Sequence, residues 1–177
     1  MNDQLGRPQW DVDTRAVRAG QLRGPEAEHN DPIFATPSFV FDSAEQAANR
    51  FMNDEPGNVY SRFTNPTVRL FEERLAAMEG VRFGVATSSG MAAILALCMA
   101  TLRAGDHVVA AGDLFGSTVN LFTKVLAKFG VATTFVSASD VDAWRGALRP
   151  ETRMLFMESP SNPLMELADI AALADIA

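Results

Sequence analysis

From Phe83 onward the chain alternates two grains of pattern. Short apolar runs are stopped by Gly, Ser or Asp, and longer stretches carry apolar residues three and four apart. Phe83 to Thr87, His107 to Ala111, Val131 to Val136 and Met154 to Met157 read as strands. Met91 to Leu102, Ser117 to Phe129 and Ser139 to Leu148 read as helices between them, with Gly130 closing the second. Met91 to Leu102 is apolar on nearly every side, which predicts a buried helix. Regular alternation of this kind predicts an α/β class: a mostly parallel sheet, helices on both faces, right-handed crossovers. Ligands of such sheets sit at the carboxyl ends of the strands. Ser88 to Met91, Asp113 to Gly116 and Glu158 to Pro163 each follow a strand, so all three are expected on one edge.

The first part of the chain is patterned differently. Gly6, Pro8, Gly20, Gly24, Pro25, Pro32 and Pro37 interrupt every periodic segment up to about residue 40, so this stretch is expected to fold by lying on another surface. Pro32 to Phe41 reads as extended, and its two prolines disfavour a central strand. Ser43 with Gln46 is a capping-box pattern, opening a helix with Ala44, Ala47, Ala48 and Phe51. Asn65-Pro66 and Gly80 mark the two ends of another, with Leu70, Phe71, Leu75 and Met78 as its expected apolar face. Asp169 opens an alanine-rich helix that reaches Ala177 after about two turns, too short to be stable alone.

Composition narrows the chemistry. At 177 residues, 47% of them hydrophobic, the chain can bury a sizeable core. A net charge of −7 and only two lysines, Lys124 and Lys128, argue against a nucleic-acid surface. The longest apolar run is too short to span a bilayer, and the N-terminus, with Asp3, Asp11 and Asp13, has no signal-peptide pattern. A cytoplasmic location is therefore expected. The single Cys98 lies in an apolar helix and reads as a core thiol. His29 and His107 show no metal-ligand spacing.

Val85 to Met91 is the most informative stretch. An apolar run stops at Ser88-Ser89-Gly90, and the orphan N–H groups of the helix opening at Met91 point back at the turn. Such a socket favours a phosphate by about 0.3–1 kcal/mol per charge. Neither a G-x-G-x-x-G nor a G-x-x-x-x-G-K-[ST] motif is present, which removes the best support for dinucleotide or P-loop binding.

Taken together, Tyr60-Ser61-Arg62, Asn65-Pro66-Thr67, Ser89-Gly90-Met91, Asp113-Leu114-Phe115-Gly116-Ser117-Thr118 and Glu158-Ser159-Pro160-Ser161-Asn162-Pro163 resemble the cysteine and methionine metabolism family of pyridoxal-phosphate enzymes. The resemblance starts near Thr14-Arg15-Ala16-Val17-Arg18-Ala19-Gly20 and runs to the last residue. It implies the large-domain portion of a type I pyridoxal-phosphate transferase with an extended N-terminal arm. Residues 1–60 would be an arm and helix packing on a neighbouring subunit, and 61–177 an incomplete cofactor-binding domain.

The resemblance also implies roles. Gly90 and Met91 would hold the phosphate of pyridoxal 5'-phosphate, Tyr60 and Arg62 would reach it from a sister subunit, Phe115 would stack on the pyridine ring, and Asn162 would bond its phenolic oxygen. Most of the family has tyrosine where Phe115 stands; phenylalanine keeps the aromatic face and removes the hydroxyl. This departure resembles the branch acting on O-succinylhomoserine with sulfide to give homocysteine, in methionine biosynthesis. Cystathionine synthases and cystathionine or methionine lyases use the same scaffold and stay open as readings. The partners implied are a small amino-acid substrate and further copies of the chain, as a dimer or tetramer, with neither nucleic acid nor membrane.

The family's Schiff-base lysine has no match here. Lys124 and Lys128 lie four apart on a helix, an ordinary surface arrangement, so the lysine is expected beyond Ala177, and the 177 residues alone are expected to be inactive. A non-catalytic oligomerisation or interaction domain is the alternative from another class.

Overall fold

The computed structural model describes residues 9–177; the breakers Gly6 and Pro8, and Asp3, lie outside the described residues. The chain divides into two compact units between Ala86 and Thr87.

The first unit contains a helix the breaker pattern did not predict, α1 (Val12–Arg18). Asp11 caps it, its carboxylate accepting the Val12 N–H at 2.7 Å. Then come α2 (Ala44–Met52) and α3 (Pro66–Met78). In α2 Ser43 Oγ accepts the Gln46 N–H at 3.0 Å, as the capping pattern requires. Asn65 caps α3 with Pro66 at its first position, and Gly80, at φ 69°, ends it. The buried face of α3 is not the expected one. Ala76 and Ala77 are buried, whereas Phe71, Leu75 and Met78 are exposed. Small side chains win because α1 packs close on α3: Arg15 donates to the Ala77 carbonyl at 3.0 Å, and Arg74 to that of Ala19 at 3.1 Å. Gly20, at φ 75°, completes this approach, since a Cβ there would lie 3.0 Å from that of Glu73.

The stretch around Pro32 to Phe41 is extended and rests on the start of α3. Phe34 N–H donates to Thr67 Oγ1 at 2.9 Å, Asn65 donates to the Phe34 carbonyl at 3.0 Å, and Ser38 bridges to Tyr60. Phe83 to Thr87, predicted as a strand, pairs with no strand among the described residues. An extended run becomes a strand only when a ladder takes its N–H and C=O groups. Here the Ala86 N–H is taken by the Glu72 side chain at 2.7 Å.

The second unit is built on three parallel strands, β1 (His107–Ala111), β2 (Ala132–Val136) and β3 (Thr152–Phe156), in the order β2-β1-β3. The central β1 is buried along its length, as expected for a parallel strand covered on both faces. The path runs outward from β1 to β2, then back past β1 to β3. Right-handed crossovers then put the two connecting helices on opposite faces. The first, α5 (Gly116–Asn120), packs with α4 (Gly90–Thr101); the second, α6 (Val141–Gly146), packs with α7 (Ile170–Ala174).

Phe122 meets Phe156 edge-on at 5.2 Å, and fully buried Trp144 donates from its indole to the Ser137 carbonyl at 3.0 Å. The predicted helix from Ser117 to Phe129 is continuous but not uniform. After α5 it widens to a π segment (Leu121–Val125), then tightens to 3-10 turns (Leu126–Phe129) before Gly130. Helix α4 forms close to where it was predicted, yet it is not buried: Cys98 is, but Leu95, Leu97 and Met99 are exposed.

Candidate functional site

The turn into α4 and the loops after β1 and β3 carry the candidate residues, and side chains connect them. Ser89 is the N-cap of α4. Its hydroxyl accepts the Ala92 N–H at 3.1 Å, and its carbonyl accepts the Thr87 hydroxyl at 2.8 Å. This arrangement leaves the next two donors uncovered. Among the described residues neither the Gly90 nor the Met91 N–H reaches a protein acceptor, and a Cβ placed on Gly90 would meet nothing within 4 Å.

The loop after β1 brings Asp113 to Phe115, and the loop after β3 brings Glu158 to Asn162. Glu158 joins them. Its Oε2 accepts the Phe115 N–H at 3.1 Å and its Oε1 the Thr118 hydroxyl at 3.4 Å. Thr118 Oγ1 is also 3.7 Å from Met91 Sδ, so the α4 turn belongs to the same cluster. Met91, Phe115 and the Glu158 loop are thus brought together, two of the three expected loops following strands and the third opening α4 without one. Phe115 is 47% exposed, while Thr118 is 1% exposed.

Asn162 lies on the same loop and is exposed. The loop is latched around it: Ser161, buried, takes the Glu166 N–H at 3.1 Å, and Ser159 takes that of Ala168 at 3.1 Å. Peptides Ser159-Pro160 and Asn162-Pro163 are cis. Beside these loops a cavity of about 360 Å³ is lined by Gly112, Asp113, Phe135, Ser137 and Glu166 among others. Both Asp113 carboxylate oxygens are buried with no partner among the described residues, an acceptor awaiting a donor.

Tyr60 and Arg62 belong to the first unit. Both are exposed, and the Arg62 guanidinium stands 5.7 Å from the Tyr60 ring and 4.9 Å from that of Phe63. Lys124 and Lys128 are exposed along the helix that α5 begins. Thr118 and Glu158 are the residues the sequence argument undervalued. The available signal was that Phe115 and Thr118 sit three apart at a helix start, which puts both on one turn facing the same strand-end loop.

Buried His107 opens β1 with Nδ1 2.8 Å from Thr152 Oγ1 and Nε2 2.9 Å from Thr134 Oγ1. Its pKa is lowered, first by burial and then by nearby Arg149, with Glu151 opposing. Burial likewise raises the pKa of Cys98, in keeping with a core thiol. Among the described residues no three His, Cys, Asp or Glu side chains converge as metal ligands, and no helix is long and apolar enough to cross a membrane.

Residues 13–177 match the family described as Cys/Met metabolism PLP-dependent enzyme. The chain is 57% identical over 165 residues to an O-succinylhomoserine sulfhydrylase of Pseudomonas aeruginosa, covering 93% of this chain and 41% of the relative. It is 40% identical over 168 residues to an L-methionine gamma-lyase of Fusobacterium nucleatum subsp. polymorphum, covering 95% of this chain and 42% of the relative. A solved structure from Campylobacter jejuni, described as an O-acetylhomoserine (thiol)-lyase carrying pyridoxyl-lysine monophosphate, superposes with a TM-score of 0.86 at 32% identity. That match covers 96% of this chain and 42% of that one. The chain therefore spans well under half the length of these proteins. With its three-stranded parallel sheet, its uncovered turn at Gly90 and its family match over residues 13–177, the chain belongs to the pyridoxal-phosphate-dependent Cys/Met metabolism enzymes.

Proposed function

We propose that this chain is the cofactor-binding part of an enzyme that exchanges the succinyl ester of O-succinylhomoserine for sulfide, giving homocysteine and succinate. The observation carrying the proposal is the pair of uncovered amides at Gly90 and Met91. A phosphate fits there, because two N–H donors at a helix N-terminus have no protein acceptor among the described residues and the space beside Gly90 is open. Phe115 and the identity to the P. aeruginosa O-succinylhomoserine sulfhydrylase support the choice of substrate.

In this reading Gly90 and Met91 hold the phosphate of pyridoxal 5'-phosphate. Tyr60 and Arg62 close on it from a neighbouring protomer, and the assembly is a dimer or tetramer. A guanidinium about 4 Å from a phosphate adds about 4 kcal/mol at an effective dielectric of 20, before desolvation. When bound, pyridoxal phosphate supplies an electron sink for carbanion chemistry on the amino acid. Phe115 stacks on its ring and, lacking a hydroxyl, moves no proton. Asn162 orients the ring through its phenolic oxygen. Exposed Lys124 and Lys128 take no covalent part.

The test uses the complete polypeptide that contains this chain. It is expected to be yellow with pyridoxal phosphate, to bleach with borohydride, and to form homocysteine from O-succinylhomoserine and sulfide faster than from the acetyl ester. Release of methanethiol from methionine as the main activity would instead assign it to the lyase side, the second reading, which the identity to the F. nucleatum enzyme supports. A colourless protein would end both.

A further inference from the structure

Helix α5 begins with a problem. Its N-cap residue is Phe115, whose side chain cannot accept a hydrogen bond, and no side-chain cap is made within the helix. The turn is tied instead by a carboxylate from 43 residues away, acting on other groups of the same turn. Glu158, just beyond β3, places one carboxylate oxygen 3.1 Å from the Phe115 N–H and the other 3.4 Å from the Thr118 hydroxyl. These two groups bracket the first turn of α5, and a negative charge there also opposes the positive end of the helix dipole.

Thr118 is 1% exposed, so its hydroxyl has no water to fall back on. It has one proton and two candidate acceptors, Glu158 Oε1 and Met91 Sδ at 3.7 Å, of which the carboxylate is much the stronger. Phe115, by contrast, is 47% exposed, so burial alone does not aim its ring. Its direction is therefore set from behind, through the backbone that Glu158 holds.

We infer that Glu158 is a positioning residue: by bracketing the first turn of α5 it aims the Phe115 ring and, through Thr118, keys it to Met91 beside the uncovered amides. The inference rests on the reading of Phe115 as the face on which pyridoxal phosphate stacks. Glutamine at this place preserves the geometry, its oxygen accepting from Phe115 and its amide donating to Thr118. Alanine leaves the Phe115 N–H with no protein acceptor and the buried Thr118 hydroxyl with only the weak Met91 sulfur at 3.7 Å.

The experiment compares Glu158→Gln, Glu158→Ala, Phe115→Ala and the Phe115→Ala/Glu158→Ala double variant in the complete protein. Without cofactor, amide exchange in a peptide spanning residues 113–120 is expected to rise about tenfold or more in Glu158→Ala and to stay near wild type in Glu158→Gln, with β1 unchanged in both. In pyridoxal phosphate titrations Glu158→Ala is expected to weaken binding about tenfold, and the double variant no further than Phe115→Ala alone. Unchanged exchange in Glu158→Ala, or fully additive losses of affinity, would overturn the inference. A wild-type protein that takes up no pyridoxal phosphate removes the function proposed above, and the exchange measurement then decides the tether by itself.

Discussion

At the scale of single residues, His107 shows how a polar side chain is carried inside a parallel sheet. It faces threonines on both neighbouring strands, and Arg149 donates a side-chain N–H to Thr134 at 2.9 Å and its backbone N–H to Thr152 at 2.8 Å. The imidazole is thus buried with a cation close by, and its folded pKa lies below the ordinary histidine value. Below that ordinary value the unfolded chain takes a proton that the folded one refuses, so stability falls as pH drops from about 6.5 through the lowered folded pKa. The slope for one proton is at most about 1.4 kcal/mol per pH unit. Urea midpoints at pH 7.5 and pH 5.5 are expected to differ in that sense, and His107→Asn is expected to flatten the difference. Nothing in the sequence around His107 announced this. The threonines that satisfy it are 27 and 45 residues away and become its neighbours only through the strand order.

At the scale of elements, local chemistry was readable where it is self-contained. Strand β1 runs from His107 to Ala111 as read, because a continuous apolar run between Gly-Asp punctuation leaves little choice. The caps of Ser43, Asn65, Asp169 and Gly130 were legible for the same reason. What failed depends on partners. Phe83 to Thr87 has strand composition without a ladder, α1 is a helix made worthwhile by packing on α3, and α3 buries its alanines where its larger side chains were expected to go in. At the site, the uncovered turn was legible from Ser88-Ser89-Gly90, whereas the Glu158 bracket, a contact across 43 residues, was not. Ser89 gives this scale its prediction. Ser89→Ala removes the cap of α4 and is expected to cost about 1 kcal/mol, read as a lower denaturant midpoint with faster amide exchange at Ala92.

At the scale of the whole molecule, the chain presents more apolar surface than an isolated domain normally does. Leu95, Leu97 and Met99 are exposed on α4, as are Leu164, Met165, Leu167 and Ile170 after β3. The outer edges of β2 and β3 pair with nothing among the described residues. Its net charge of −7 works against association, but apolar patches and open edges act at short range, where diffuse charge does little. The 177 residues expressed by themselves are expected to bind the dye ANS and to associate increasingly with concentration. A monodisperse monomer without dye binding, by sedimentation and fluorescence, would contradict this.

The strand order has one more consequence, for the time at which the sheet can exist. Strand β1 is central, yet both of its neighbours are encoded after it. A nascent chain leaving the ribosome would therefore carry its most apolar strand unsheltered until residues 132–136 emerge, and flanked on one side only until residues 152–156 follow. During synthesis, the interval in which chaperones have something to hold is fixed by the distance between Ala111 and Phe156.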